Sequence, residues 1–173
     1  MEINKIHEKL KGHFGETVIL SLTEAGDEVK DPFIEVLGSQ LDKVCYYCRG
    51  EAELDFDFCQ SITGMDTGDP LTCVYHLYSY EHRHTLVLKT TTPRDGGALP
   101  TIVPVWPAAD WYERETAEMY GIHFEGHPDL RRLLLPEEWT GERPMLKDFV
   151  EPEIYKGMPT TRENPLDLLD EEQ

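Results

Sequence analysis

The sequence predicts an α+β domain: a mixed, largely antiparallel sheet with helices packed on it, followed by an extended C-terminal tail. Three observations carry that expectation. Runs with helical spacing and runs with strand character come in groups rather than in strict alternation, the pattern of helices segregated onto a sheet. Three strand-like runs succeed one another between residues 56 and 92 with only turn signals between them, which favours antiparallel neighbours. The chain has 173 residues, 39% of them hydrophobic, enough for one sizeable core and too few for two large domains.

Taken in order, Ile3, Ile6, Leu10 and Phe14 recur at helical spacing, so residues 2–14 read as an amphipathic helix ended by Gly15. Thr17 to Leu22 reads as a strand, and beyond the polar stretch Thr23 to Pro32 so does Phe33 to Val36. Ser39 stands where it can cap a helix from Gln40 to Cys48 that stops at Gly50. Strands are expected at Phe56 to Thr63, Leu71 to Tyr80 and Thr85 to Thr92. The first gap, Gly64 to Pro70, is rich in turn formers, and the second, Tyr80 to His84, is tight. Trp111 to Tyr120 reads as a helix with a charged face. From Glu151 the chain becomes Pro-rich and acidic, with little that could enter a core, so the expected division is a domain over residues 1–150 and a tail over 151–173 that orders on a partner or stays mobile.

Charge excludes some roles. Sixteen basic against 34 acidic residues give a net charge of -18, which repels phosphate backbones and anionic headgroups and favours a partner with a basic surface over nucleic acid or lipid. No run approaches the roughly 18 apolar residues of a membrane span, and residues 1–14 lack the apolar centre of a signal peptide. The expected location is therefore cytoplasmic, with any service to a membrane enzyme being peripheral.

Four cysteines invite a metal or cluster reading, since Cys45 and Cys48 form a C-x-x-C and Cys59 and Cys73 complete a set of four. Helical spacing speaks against it: Leu41, Val44, Cys45 and Cys48 fall at i, i+3, i+4 and i+7, so both thiols extend an apolar face as small core residues. Cys59 and Cys73 sit in strand-like runs outside any ligand knuckle. His76, His82 and His84 cluster about one strand pair, and His82-Arg83-His84 reads as a solvated turn. A competing assignment makes the chain a free-standing metal-binding domain or enzyme that uses these three histidines and the cysteines. Nucleotide-binding glycine loops and a Gly-x-Ser-x-Gly elbow are absent from the sequence. No catalytic, cofactor-binding or metal-binding residue is expected in this chain.

The densest segment runs from Trp106 to Phe149. Glu113-Arg114-Glu115 followed by Met119-Tyr120-Gly121-Ile122, then Phe124-Glu125-Gly126-His127-Pro128-Asp129-Leu130-Arg131-Arg132, then Leu135-Pro136-Glu137-Glu138-Trp139 resemble, in order and spacing, the motifs of the 30 kDa subunit of the complex I family. That family comprises the proton-pumping NADH dehydrogenases, with counterparts in archaeal deazaflavin-linked dehydrogenases and membrane-bound hydrogenases. Cys73 to Tyr80 is similar to a family strand, and Tyr75 to Ser79 with Thr90 to Asp95 is slightly more similar to the deazaflavin-linked forms. The pattern departs at Trp139 to Asp148, which carries one extra residue before Pro144 and Leu146 where the family has an Arg.

The resemblance implies a non-catalytic subunit of the hydrophilic arm. It would dock, on the cytoplasmic face of the membrane, to a large, 49 kDa-like subunit that shapes the quinone pocket and lie near a small cluster-bearing subunit, with the iron-sulfur clusters and flavin held by neighbouring subunits and none by this chain. The family match turns the charged helix and its flanks into a candidate docking surface: Trp111, Glu113, Arg114, Glu115, His127, Arg131, Arg132, Trp139, Lys147 and Asp148. Aromatic residues and guanidinium groups are what interfaces favour, and Arg114, Arg131, Arg132 and Arg143 are half of the chain's eight arginines. Trp106, Tyr112 and Tyr120 add aromatic area. Within the same helix, Trp111 and Met119 are candidates to pack on the sheet, and Arg114 and Glu118 to pair at i+4 across an exposed face.

Overall fold

The computed structural model describes residues 1–27 and 29–160. Helix α1 (Ile3–Phe14) buries Ile6 and Leu10 and ends at Gly15, whose φ of 80° is open to glycine without steric cost. Strands β1 (Ile19–Thr23) and β2 (Phe33–Val36) pair antiparallel; a 3₁₀ turn (Gly38–Gln40) leads into α2 (Leu41–Gly50), and β3 (Phe58–Asp66), β4 (Leu71–Ser79) and β5 (His84–Thr92) follow. The strand order is β1-β2-β5-β4-β3, with β2 parallel to β5 and the other pairings antiparallel. The expected antiparallel unit is therefore β3-β4-β5, and the β2–β5 pairing makes the sheet mixed.

Register sets the core. Leu71, Cys73, Tyr75, Leu77 and Ser79 alternate onto one face of β4 and are all buried. They stand opposite Thr92, Thr90, Leu88, Leu86 and His84 of β5, and Ile62 of β3 stands opposite Tyr75. Against this face lie Leu41, Val44, Cys45 and Cys48 from α2 and Ile6 and Leu10 from α1, so the helical cysteines are core residues as their spacing predicts.

Several expectations need correction. Strand β3 continues three residues beyond Thr63, because Gly64, Met65 and Asp66 pair with Cys73, Thr72 and Leu71. Gly64 serves close approach rather than a turn: a Cβ there would lie 2.4 Å from Tyr120 Cδ2, so only glycine lets that ring lie on the strand. Ser39 does not cap α2; the helix grows out of the 3₁₀ turn with Gln40 at its N-cap and no side-chain cap. The His82 to His84 turn is only half solvated. His84 is 6% exposed and donates from Nε2 to the Leu54 carbonyl at 2.7 Å, which brings the loop after α2 under the end of β4.

Beyond β5, strand β6 (Ala98–Pro100) and strand β7 (His123–Glu125) pair in parallel around helix α3 (Ala109–Tyr120). A hairpin of β8 (Ile154–Tyr155) and β9 (Met158–Pro159) closes the described chain, with the Tyr155 ring 5.8 Å from that of Trp139. Strands of two or three residues carry no periodicity, so none of the four is legible in the sequence. The rest of the expected tail, residues 161–173, lies outside the described residues. Among the described residues no helix is long and apolar enough to cross a membrane.

Candidate docking site

Helix α3 decides the geometry of the segment. Ala109, Glu113, Thr116 and Tyr120 fall on one stripe of the helix, at i, i+4, i+7 and i+11, and a carboxylate is thereby carried inward with the packing residues. Glu113 is fully buried; its Oε1 accepts from the Ile102 amide at 2.7 Å and its Oε2 from the Thr101 hydroxyl at 2.6 Å. Burial outweighs these two donors, and the carboxyl is pushed up to about 7 from 4.5, with the nearby Asp110 carboxylate adding to the rise. The result is a fixed join between α3 and the segment that leaves β6.

On the next face of α3, Arg114 and Glu118 are also buried, at 7% and 5% exposure. They do not pair across an open surface as their i+4 spacing suggests, because each is occupied by the backbone of a later loop. The Glu118 carboxylate accepts three successive amides, those of Leu133, Leu134 and Leu135, at 3.1, 2.8 and 3.0 Å. Arg114 donates from Nε to the Arg131 carbonyl and from Nη2 to the Arg132 carbonyl, at 3.1 and 3.0 Å. Two opposite charges thus match donors and acceptors of one peptide stretch, which substitutes for a strand partner.

His127 completes the entry to that loop. Its side chain is buried; Nδ1 accepts from the Asp129 amide at 3.0 Å, and Nε2 faces the Asp110 carboxylate at 3.2 Å. The imidazole therefore ties its own turn to the first turn of α3, and Pro128 holds it there.

Farther on, Asp66 at the end of β3 accepts the Lys147 amide at 2.8 Å and the Arg94 guanidinium at 2.8 Å. Arg94 also pairs with Asp148. Leu146, where an Arg was expected, is half-buried against the core, and the Met145 amide donates to the Met119 carbonyl at 3.2 Å. Residues 131–148 are thus tied to the domain at both ends.

What faces solvent is a smaller set than the expected ten. Of these, Glu113, Arg114 and the His127 side chain are internal. Trp111 is 58% exposed and lies with its ring beside the Arg114 guanidinium rather than on the sheet. Glu115, Arg131, Arg132, Lys147 and Asp148 are exposed and Trp139 is half-buried. Arg131 pairs with Asp129 at 3.1 Å, and Arg132 donates to the carbonyls of Pro136 and Glu137. Trp106 belongs to the core, 3% exposed, with Nε1 donating to the Phe56 carbonyl at 2.9 Å. Sequence reasoning missed Leu134, Met145 and Val150, which are 61%, 54% and 81% exposed.

The geometry offers little to a metal. Cys48, Cys59 and Cys73 are buried and their thiols are pushed up to about 12 by desolvation, which opposes the thiolate that ligation needs. His82 and His84 each direct Nε2 at a backbone carbonyl, and His76 lies 3.2 Å from the Ser61 hydroxyl. Among the described residues no three His, Cys, Asp or Glu side chains converge in a way that could hold a metal ion.

Comparison with known proteins agrees with the motif order. A family described as the respiratory-chain NADH dehydrogenase 30 kDa subunit matches residues 34–154. The chain is 39% identical to a subunit of the F(420)H(2) dehydrogenase of Methanosarcina mazei over 164 residues, covering 92% of this chain and 95% of that one. It is 38% identical to an NADH-quinone oxidoreductase subunit of Chlorobium phaeobacteroides over 131 residues, covering 73% and 78%. Against the corresponding NADH-quinone oxidoreductase subunit of Chloroherpeton thalassium, also 38% identical, the match spans 48% of the relative's length. Among solved structures, the membrane-bound sulfane sulfur reductase, an archaeal respiratory membrane complex, contains a chain that matches with a TM-score of 0.68 over 94% of this chain and 96% of that one. A trypsin-resistant fragment of Nqo5 matches with 0.59 over 75% and 100%. Both are 23% identical, so they speak to the fold.

Proposed function

We propose, because this chain belongs to the respiratory-chain NADH dehydrogenase 30 kDa subunit family, that it is a non-catalytic peripheral-arm subunit of a multisubunit, energy-converting oxidoreductase. In that role it docks to the large subunit and lies near the small cluster-bearing subunit. It thereby supports electron transfer through their iron-sulfur clusters to a quinone-type acceptor, coupled to ion translocation. Cofactors belong to those partners, and the chain itself is peripheral on the cytoplasmic side of the membrane.

One observation carries the docking role. Arg114 and Glu118 of α3 are occupied in fixing the loop after β7, while Trp111, Leu134, Met145 and Val150 are exposed apolar side chains of α3 and the chain that follows it, in a stretch that also exposes Arg131 and Arg132. Exposed apolar side chains interspersed with guanidinium groups have the composition of a protein interface. The near-complete overlap with the Methanosarcina subunit favours a complex fed by F(420)H(2) over one fed by NADH.

Isolation of the tagged chain from native membranes tests this. The expected result is co-isolation of a large and a cluster-bearing subunit, with F(420)H(2) oxidation by the assembly and none by the chain alone. Recovery of the chain by itself with stoichiometric zinc or iron would instead support the free-standing metal-binding domain.

A further inference from the structure

Three arginines converge on one cavity, of which Arg132 alone also belongs to the docking surface. Arg114, Arg132 and Arg143 line a space of about 290 Å³ together with Glu118, His123 and the apolar side of Gly121 to Ile122. Arg143 reaches it from the later loop: its Nη1 donates to the Glu118 carbonyl at 3.3 Å, and its Nε would lie 3.3 Å from a Cβ at Gly121. Gly121, with φ at 83°, is both the stop of α3 and the floor on which this side chain rests.

The charges at the cavity do not balance. Three guanidiniums face one carboxylate, that of Glu118, whose oxygens are already filled by the Leu133, Leu134 and Leu135 amides. Among the described residues none of the three arginines forms an ion pair, whereas Arg49, Arg94 and Arg131 each have a carboxylate partner. Their hydrogen bonds go to carbonyl oxygens, which satisfy donors without neutralising charge. Arg114 is 7% exposed, and its Nε and Nη2 are spent on the Arg131 and Arg132 carbonyls. A largely buried guanidinium without a direct ion pair is costly, and here it occurs in a chain of net charge -18 where carboxylates are abundant.

We propose that this cavity is a carboxylate-binding site, filled in the assembled complex by an acidic side chain or C-terminal carboxylate of a neighbouring subunit. The inference rests on the subunit role above. Arg143 and Arg132 supply exposed, forked donors, and Arg114 supplies a largely buried positive charge, an arrangement suited to two carboxylate oxygens. It also gives a protein of strongly acidic character a local point of attraction for an acidic partner segment.

The probe for the free full-length chain is succinate, titrated against sodium chloride at equal ionic strength while the arginine Nε–Hε resonances are followed by NMR. The Arg114 and Arg143 signals should move together and saturate with succinate only. Arg143→Gln should weaken that binding at least about tenfold, or about 1.4 kcal/mol, since it removes a charged donor, and Arg143→Lys should restore only part of it. Linear shifts shared with chloride would overturn the site. In native membranes Arg143→Gln should lower recovery of the assembled complex. Succinate binding with normal assembly of the variant would overturn the neighbouring subunit as the carboxylate's source. Failure of the unaltered chain to assemble would count against the subunit role and leave the succinate result standing.

Discussion

Asp66 Oδ2 lies 2.8 Å from the backbone nitrogen of Lys147, a contact that spans 81 positions of sequence and fastens the last loop to the end of β3. The Lys147 and Gly68 amides and the Arg94 guanidinium hold the Asp66 carboxyl down to about 2, below its ordinary 3.8. A group lowered in the folded state adds stability that is complete above about pH 4 and is lost as pH falls towards 2. Hydrogen exchange across residues 144–150 should therefore speed up between those values. Asp66→Asn should show the faster exchange already at neutral pH. Unchanged protection in the variant would mean that other contacts hold this loop.

Glu113 has the opposite sign. Its carboxyl is raised to about 7, so the folded state holds a proton that the unfolded chain releases near 4.5. Stability from this group is full below about pH 4.5, declines as pH rises to 7, and is level above, a swing on the order of 3 kcal/mol. Glu113→Gln should flatten that part of the stability curve in denaturant titrations from pH 4.5 to 8. A slope that persists in the variant would place the titrating group elsewhere.

Glu118→Ala removes the acceptor for three loop amides. Each unsatisfied buried amide costs about 1–3 kcal/mol and water can replace part of that, so a net loss of about 3 kcal/mol is expected, or roughly 6–12 °C in melting temperature. Exposed Glu115→Ala should stay within about 0.5 kcal/mol. Equal effects of the two changes would show that the loop is not held by Glu118.

Arg131→Ala in the free chain should leave the melting temperature almost unchanged, because exposed ion pairs such as Arg131–Asp129 contribute about 0–1 kcal/mol. Arg132→Ala should cost about 1–2 kcal/mol, as it releases two carbonyls of its own turn. Both should reduce recovery of the membrane complex from cells. Normal assembly of the double variant would displace the docking surface from this loop.

We further propose that the chain divides into a resistant body over residues 1–150 and a tail over 151–173. Brief trypsin treatment of the free chain, read by mass spectrometry, should remove the tail first. Cleavage within β1 to β5 at the same rate would reject the boundary.

Much of this protein is local information. The i, i+3, i+4, i+7 spacing of Leu41, Val44, Cys45 and Cys48 determines which side of α2 is buried, and the alternation of Leu71 to Ser79 determines the core face of β4, because helix and strand geometry convert spacing into facing without help from the rest of the chain. Motif order from Glu113 to Trp139 was equally legible and identified the family. Tertiary structure alone decided the parallel pairing of β2 with β5, the burial of Trp106 and the outward turn of Trp111. It also reversed the expected role of Glu113, Arg114 and Glu118. A charged residue on a helix is read as solvated until a partner for its charge is known. The partners here are peptide groups of Thr101–Ile102 and of residues 131–135, which carry no side-chain signature in sequence and reach α3 only through the fold.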